Sequence, residues 1–179
     1  MDLKLLSDDF RPKVENLITL CKGRDVIMRP YCTVRTPIEQ AKIWRQSRSR
    51  EQIDRQIKFF KDNDAPYLAD CLEKAGPQHG PWETDSLPGL SWHQWGEAVD
   101  CFWLVRGDAD WTRPDRAPPG VLNGYRVYAD AAKELQLTPL GSTRVQDWPH
   151  VQNFAHKVYD QYSLEEVDAE MRNRFDRPL

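Results

Sequence analysis

Between Gly96 and Arg106 the chain alternates with a period of two, and a carboxylate sits in the middle of the apolar run. Ala98, Asp100 and Phe102 fall on one side, Val99, Cys101, Trp103 and Val105 on the other. That pattern is a strand with two distinct faces. A carboxylate within an apolar strand is costly to bury unless it is paired or bound to a cation. The chain must therefore build a sheet around Asp100 and supply something that satisfies it.

With 179 residues the chain is long enough to bury a real core as one domain. Its net charge of −3 and the lack of any Lys/Arg block point away from nucleic acid and from anionic membranes. The start, Met-Asp-Leu-Lys-Leu-Leu-Ser-Asp-Asp-Phe, lacks an apolar h-region and a small-residue cleavage site. No apolar run approaches bilayer-spanning length. The expectation is a protein made soluble in the cytoplasm, with another exit route needed for any work outside the membrane. Cys21, Cys32, Cys71 and Cys101 are scattered without Cys-x-x-Cys spacing, so they read as small core hydrophobes rather than a zinc knot or a disulfide framework.

Residues 7–22 read as an amphipathic helix, with Ser7 as N-cap and Phe10, Val14, Leu17 and Cys21 at helical spacing. Asp25–Arg29 reads as a short strand that stops before Pro30. Thr36-Pro37-Ile38-Glu39 is a helix start, with a capping box and proline at the first helical position. Two more helices follow, one carrying Ile53, Ile57 and Phe60, the next Leu68, Cys71 and Leu72. Residues 76–89 and about 106–120 read as loops. A helix with Tyr125, Tyr128, Ala132 and Leu135 comes next, then short strands at 137–140 and 150–152. Ser163 opens a terminal helix.

The donors that could satisfy Asp100 lie nearby in sequence. Zinc takes imidazole nitrogen and carboxylate oxygen at roughly 2.0–2.2 Å, and His93, Asp100 and His150 offer such a set. On one helix His93 and Asp100 would stand about 10 Å apart. On one straight strand they would face opposite sides. A turn at Gly96 removes both obstacles, since glycine tolerates the backbone angles that fold the chain back. His150 must then arrive from a neighbouring strand. Asp147 can reach a metal-bound water without ligating, because Pro149 keeps Trp148 out of helical geometry. Arg35 can stabilise an oxyanion formed when a carbonyl is attacked.

Plainer roles stand beside these. Asp147 can be a turn residue, and Arg35 a surface ion-pair partner. Trp92 and Trp95 can be core or can line a cleft, and His79 and His156 read as packed or surface filler.

Ser91-x-His93-x-x-Gly96-x-Ala98-x-Asp100, followed by Asp147-x-Pro149-His150, resembles the metallopeptidases of family M15. These include D-alanyl-D-alanine carboxypeptidases, D-Ala-D-Ala dipeptidases and the L-alanyl-D-glutamate endopeptidases of phage endolysins. Arg35-Thr36-Pro37-Ile38-Glu39-Gln40 is similar to the family's Arg-Thr/Ser-x-x-Glu-Gln segment, and the resemblance covers roughly residues 5–155. It implies an α+β fold, a single small domain over 1–179 with a central antiparallel sheet flanked by helices, shared with lysostaphin-type peptidases and the hedgehog signalling domain.

The same resemblance implies zinc on His93, Asp100 and His150, Asp147 as general base and Arg35 on the scissile carbonyl. Ser91, Gln40 and Trp92 are the candidate substrate contacts. The expected substrate is a peptidoglycan stem peptide, cleaved at an amide bond by an endopeptidase or a carboxypeptidase acting as a monomer. Val34 departs from the family, which commonly has an aromatic there. A helical insertion at about 45–90 and a loop insertion at about 106–120 also depart, and both bear on specificity more than chemistry. A non-catalytic, zinc-stabilised binding module of the same fold is the rival reading. An esterase shares the metal chemistry without the motif.

Overall fold

The computed structural model describes residues 2–141 and 143–176. Six α-helices occur among them: α1 (Phe10–Lys22), α2 (Pro37–Arg45), α3 (Arg50–Asp62), α4 (Pro66–Lys74), α5 (Gly124–Glu134) and α6 (Leu164–Phe175). The strands are β1 (Ile27–Cys32), β2 (Ala98–Val105), β3 (Asp108–Asp110), β4 (Thr138–Leu140) and β5 (Asp147–Gln152). They form an antiparallel sheet in the order β1-β2-β5-β4, with β3 paired to the end of β2. The class is α+β, as the resemblance implied. None of the helices is long and apolar enough to cross a membrane.

The chain divides into two compact units. The first runs up to Val34 and resumes over Trp95–Ala155. Here the two faces of β2 separate as the alternation required. Val99 and Cys101 are fully buried with Phe10, Val14, Leu17 and Cys21 of α1 and Tyr125, Tyr128 and Ala132 of α5. Burying each large apolar side chain stabilises by roughly 1.5–3 kcal/mol. This core holds one sheet face rigid and leaves the other, with Ala98, Asp100 and Phe102, for chemistry.

Three local expectations need correction in this unit. β1 does not stop before Pro30 but runs through it to Cys32, with a register shift between Pro30 and Cys32. Proline is tolerated there because β1 is an edge strand and its pairing is already irregular directly after Pro30. The stretch expected to be loop from 106 contains β3, joined to β2 through Arg106-Gly107. Both turn residues have positive φ, 53° and 98°, which is the twist a two-residue hairpin turn needs. Cys21 and Cys101 are buried as expected, whereas Cys32 is only half-buried at the end of β1.

The second unit comprises Arg35–Gln94 and the chain from His156 onward. α2 starts as its sequence predicts: Thr36 Oγ1 accepts the Glu39 amide at 3.2 Å while Glu39 Oε2 accepts the Thr36 amide at 2.7 Å. The helices carrying Ile53/Phe60 and Leu68/Cys71/Leu72 form as α3 and α4, with Leu68 and Leu72 fully buried. Asp168 of α6 accepts the Leu68 amide at 2.9 Å, tying the last helix to α4. Between Gly76 and Ser91 the chain is irregular and held by polar ties, among them Arg48 to the Thr84 carbonyl at 2.7 Å. At Gly89 (φ 81°) a Cβ would come within 2.5 Å of Val167 Cγ1, so the close approach itself demands glycine.

Candidate metal centre

Asp100 faces its sheet neighbours on both sides. Its register partner on β5 is His150, and its register partner on β1 is Cys32, so the three positions form one row across the sheet. Residues directly opposite in an antiparallel pair share a face. His150 Nδ1 lies 3.0 Å from Asp100 Oδ1, with both residues 7% exposed. The other ring nitrogen, Nε2, lies 3.0 Å from Gln152 Oε1.

His93 occupies the short 3-10 turn Trp92–Trp95 and is buried. Gly96 follows with φ 73°, the folded-back conformation expected of it, and leads straight into β2. Within the first unit, donor atoms of Cys32 and Asp100 lie within 4.8 Å of one another. Thiolate, imidazole and carboxylate are all zinc donors. The expected set therefore needs an addition: a cysteine that spacing alone read as core filler stands among the donors.

Asp147 opens β5 and is half-buried. Between the Pro139–Val151 and Leu140–Asp147 pairs the ladder shifts register, so on this side β5 is irregular over Trp148, Pro149 and His150. Bulges re-aim side chains beside functional sites. Burial first, and then the charges of Asp100 and Asp147, push the phenol of Tyr31 on β1 well above the usual range. Both carboxylates thus act on one phenol, which stays an O–H donor at any physiological pH. Tyr31 also packs edge-on against Trp111, centroids 5.5 Å apart, and tilted against Phe102 at 6.3 Å.

Arg35 is half-buried and donates to Gln40 Oε1 at 3.0 Å. The same oxygen accepts from Gln94 Nε2 at 3.1 Å, while Gln40 Nε2 donates to the Ser86 carbonyl at 2.6 Å. Gln40 is fully buried, so what its amide does is orient Arg35 and anchor the irregular stretch. Ser91 is half-buried, its amide facing Gln94 Oε1 at 3.4 Å. Trp92 is 4% exposed, with its indole N–H donating to the His156 carbonyl at 2.9 Å and its ring edge-on to the His156 imidazole. Its surroundings are those of a core residue. His79 is exposed and His156 pairs with Gln161 at 2.8 Å.

Sequence reasoning passed over Cys32, Tyr31 and Gln152. The available signal was the alternation of β1: with Tyr31 next to Cys32 at a proline-bearing edge, one of the two had to face Asp100.

The donor chemistry fits a zinc ion. Asp100 and the Nδ1 side of His150 meet as two groups that share a cation well, and neutral imidazole with carboxylate is a standard zinc donor pair.

Among solved structures, a similar chain is a mutant of the vancomycin resistance D,D-pentapeptidase VanY from a VanB-type resistance cassette, in complex with Zn(II). It is 17% identical, covers 82% of this chain and 71% of that one, and has a TM-score of 0.42. No curated protein matches. The family model for VanY, D-alanyl-D-alanine carboxypeptidase, matches residues 3–108, which takes in Arg35, His93 and Asp100 and ends ahead of Asp147 and His150. That stretch is more than half of the chain, and the protein belongs to the VanY D-alanyl-D-alanine carboxypeptidase family.

Proposed function

We propose that this protein is a zinc-dependent carboxypeptidase that hydrolyses the amide bond of a D-alanyl-D-alanine terminus in peptidoglycan stem peptides. The observation that carries the reading is the Asp100–His150 pair, 3.0 Å apart on facing strands with Asp147 opening the same strand as His150. His93, Asp100 and His150 hold the metal in this reading. When bound, zinc supplies Lewis acidity toward water and toward a carbonyl oxygen.

The chain's own residues do the rest. Asp147 takes a proton from the attacking water and returns it to the leaving amine. The guanidinium of Arg35, held by Gln40, donates to the oxygen that gains charge as the carbonyl carbon becomes tetrahedral. The phenol O–H of Tyr31, exposed on β1, is a hydrogen-bond donor for substrate. Retention of both Asp147 and Arg35 supports catalysis, since a structural metal site needs neither.

One observation favours a second reading. Cys32 stands among the donors, and four protein ligands close a zinc site as structural sites are closed. In that case the protein binds wall peptides without cutting them.

The deciding experiment incubates zinc-loaded protein with soluble peptides ending in D-Ala-D-Ala and with purified peptidoglycan, read by mass spectrometry. Release of one D-alanine by the wild type and not by Asp147→Ala establishes the carboxypeptidase. A cut elsewhere in the stem makes it an endopeptidase. No release by zinc-loaded wild type leaves the binding module.

A further inference from the structure

The two ring nitrogens of His150 have different neighbours. Nδ1 faces Asp100 Oδ1 and Nε2 faces Gln152 Oε1, each at 3.0 Å. The Gln152 amide cannot be reversed without loss, because its Nε2 donates to the Phe154 carbonyl at 2.6 Å and a carbonyl only accepts. Gln152 Oε1 is therefore the atom presented to the imidazole, and an amide oxygen only accepts as well. The hydrogen in that contact has to come from His150 Nε2.

Gln152 sits two residues beyond His150 on β5 and so shares its face of the sheet. Its own register partner is Ala98, at the start of β2. The result is a chain of contacts: Asp100, His150, Gln152, then the Phe154 backbone.

We propose that Gln152 is a positioning residue that holds His150 as its Nε2–H tautomer and leaves the Nδ1 lone pair facing Asp100, the side on which the metal would be held. The inference rests on the metal-centre reading above. Metal-ligating histidines generally give their other N–H to an oxygen acceptor, and that partner is worth roughly 10–100-fold in metal affinity. Here a neutral amide anchored to backbone takes the place of the more usual carboxylate. It orients the ring without adding negative charge. A glutamate at 152 would keep the acceptor, so it should preserve the tautomer, whereas an apolar isostere should not.

The test measures zinc affinity of the full chain by competition with a chromophoric chelator, for wild type, Gln152→Leu, Gln152→Glu and His150→Ala. It adds imidazole ¹⁵N spectra of the zinc-loaded wild type and Gln152→Glu. The expected result is binding about 10–100-fold weaker in Gln152→Leu and within about threefold of wild type in Gln152→Glu. The spectra should show Nε2 protonated and Nδ1 metal-bound. Gln152→Leu binding as tightly as wild type, or spectra with Nε2 on the metal, would overturn the inference. If Gln152→Leu does not fold, the Gln152→Glu affinity and the spectra decide alone. A wild type that takes up no zinc, or His150→Ala binding as well as wild type, overturns the metal-centre reading itself, which the Gln152 variants do not test.

Discussion

Asp100 and His150 meet because they are directly opposed on β2 and β5, with Oδ1 and Nδ1 3.0 Å apart. The contact is a consequence of register: slipping β5 by one residue would turn His150 to the other face of the sheet and put Val151 beside Asp100. The apolar core on the far face, with Val99 and Val151 fully buried and opposed, fixes that register. Packing on one side of the sheet therefore determines the donor set on the other.

Removing either member of the pair should abolish tight metal binding. Loss of an outer partner costs roughly 10–100-fold in affinity, so loss of a direct donor should cost more than about a hundredfold. We expect Asp100→Asn and His150→Ala to elute without stoichiometric zinc, as measured by plasma emission on dialysed protein. Either variant retaining one zinc per chain would exclude that residue from the ligand set.

Asp147 is predicted to separate binding from catalysis. The role proposed for it is proton transfer, which contributes typically about 10²–10⁴-fold to rate. Asp147→Ala should keep its zinc, keep its KM for a D-Ala-D-Ala peptide within a few-fold, and lose kcat by that factor. Loss of zinc together with activity would make Asp147 a ligand.

Much of this arrangement was legible in the chain because its causes are local. The α2 capping box needs only Thr36 and Glu39, and the faces of β2 need only the alternation from Ala98 to Val105. The turn at Gly96 follows from the geometry of His93 and Asp100. What escaped depends on partners distant in sequence. Pro30 argued for a strand end, and only the position of β1 at the sheet edge makes it harmless. Cys32 looked like Cys21 or Cys101 until the register set it beside Asp100. Gln152 carries no motif at all: its value lies in where Phe154 holds its amide.

The four cysteines should differ sharply in reactivity. Burial pushes the thiols of Cys21 and Cys71 up to about 11, and that of Cys101 up to about 12. The thiolate is the nucleophile, so these three should stay inert to alkylation at pH ~8 in the native protein. Cys32, half-buried at the strand end, should be the one residue that metal-free protein alkylates under iodoacetamide, as read by intact mass and peptide mapping. Labelling of Cys101 before global unfolding would contradict its burial in the α1/α5 core.

Cys32 also separates the two functional readings. An open catalytic site has three protein ligands and keeps a position for water, whereas a closed structural site uses four. With His93, Asp100 and His150 as the ligands, Cys32→Ser should retain one zinc per chain and its peptidase activity within a few-fold. A Cys32→Ser protein that loses both zinc and thermal stability would establish the closed site and the binding module.

The turn at Gly96 leaves little room for a side chain. Gly96 has φ 73°, and a Cβ there would lie 3.1 Å from the Ser7 amide nitrogen and 3.2 Å from the Leu5 carbonyl oxygen. Both are backbone atoms, and the Ser7 amide already donates to the Gly96 carbonyl at 3.0 Å, so neither has a free rotamer with which to retreat. The left-handed conformation alone costs a residue with a Cβ roughly 1–2 kcal/mol, and the tight contacts add to it. For a chain of this length each kcal/mol lowers the unfolding midpoint by about 2–4 °C. Gly96→Ala should therefore unfold several degrees below wild type by circular dichroism. Because Gly96 also sets the fold-back between His93 and Asp100, zinc affinity should fall in the same variant. A Gly96→Ala protein with unchanged midpoint and unchanged zinc affinity would show that the turn accepts a side chain and that the geometry of His93 and Asp100 does not depend on it.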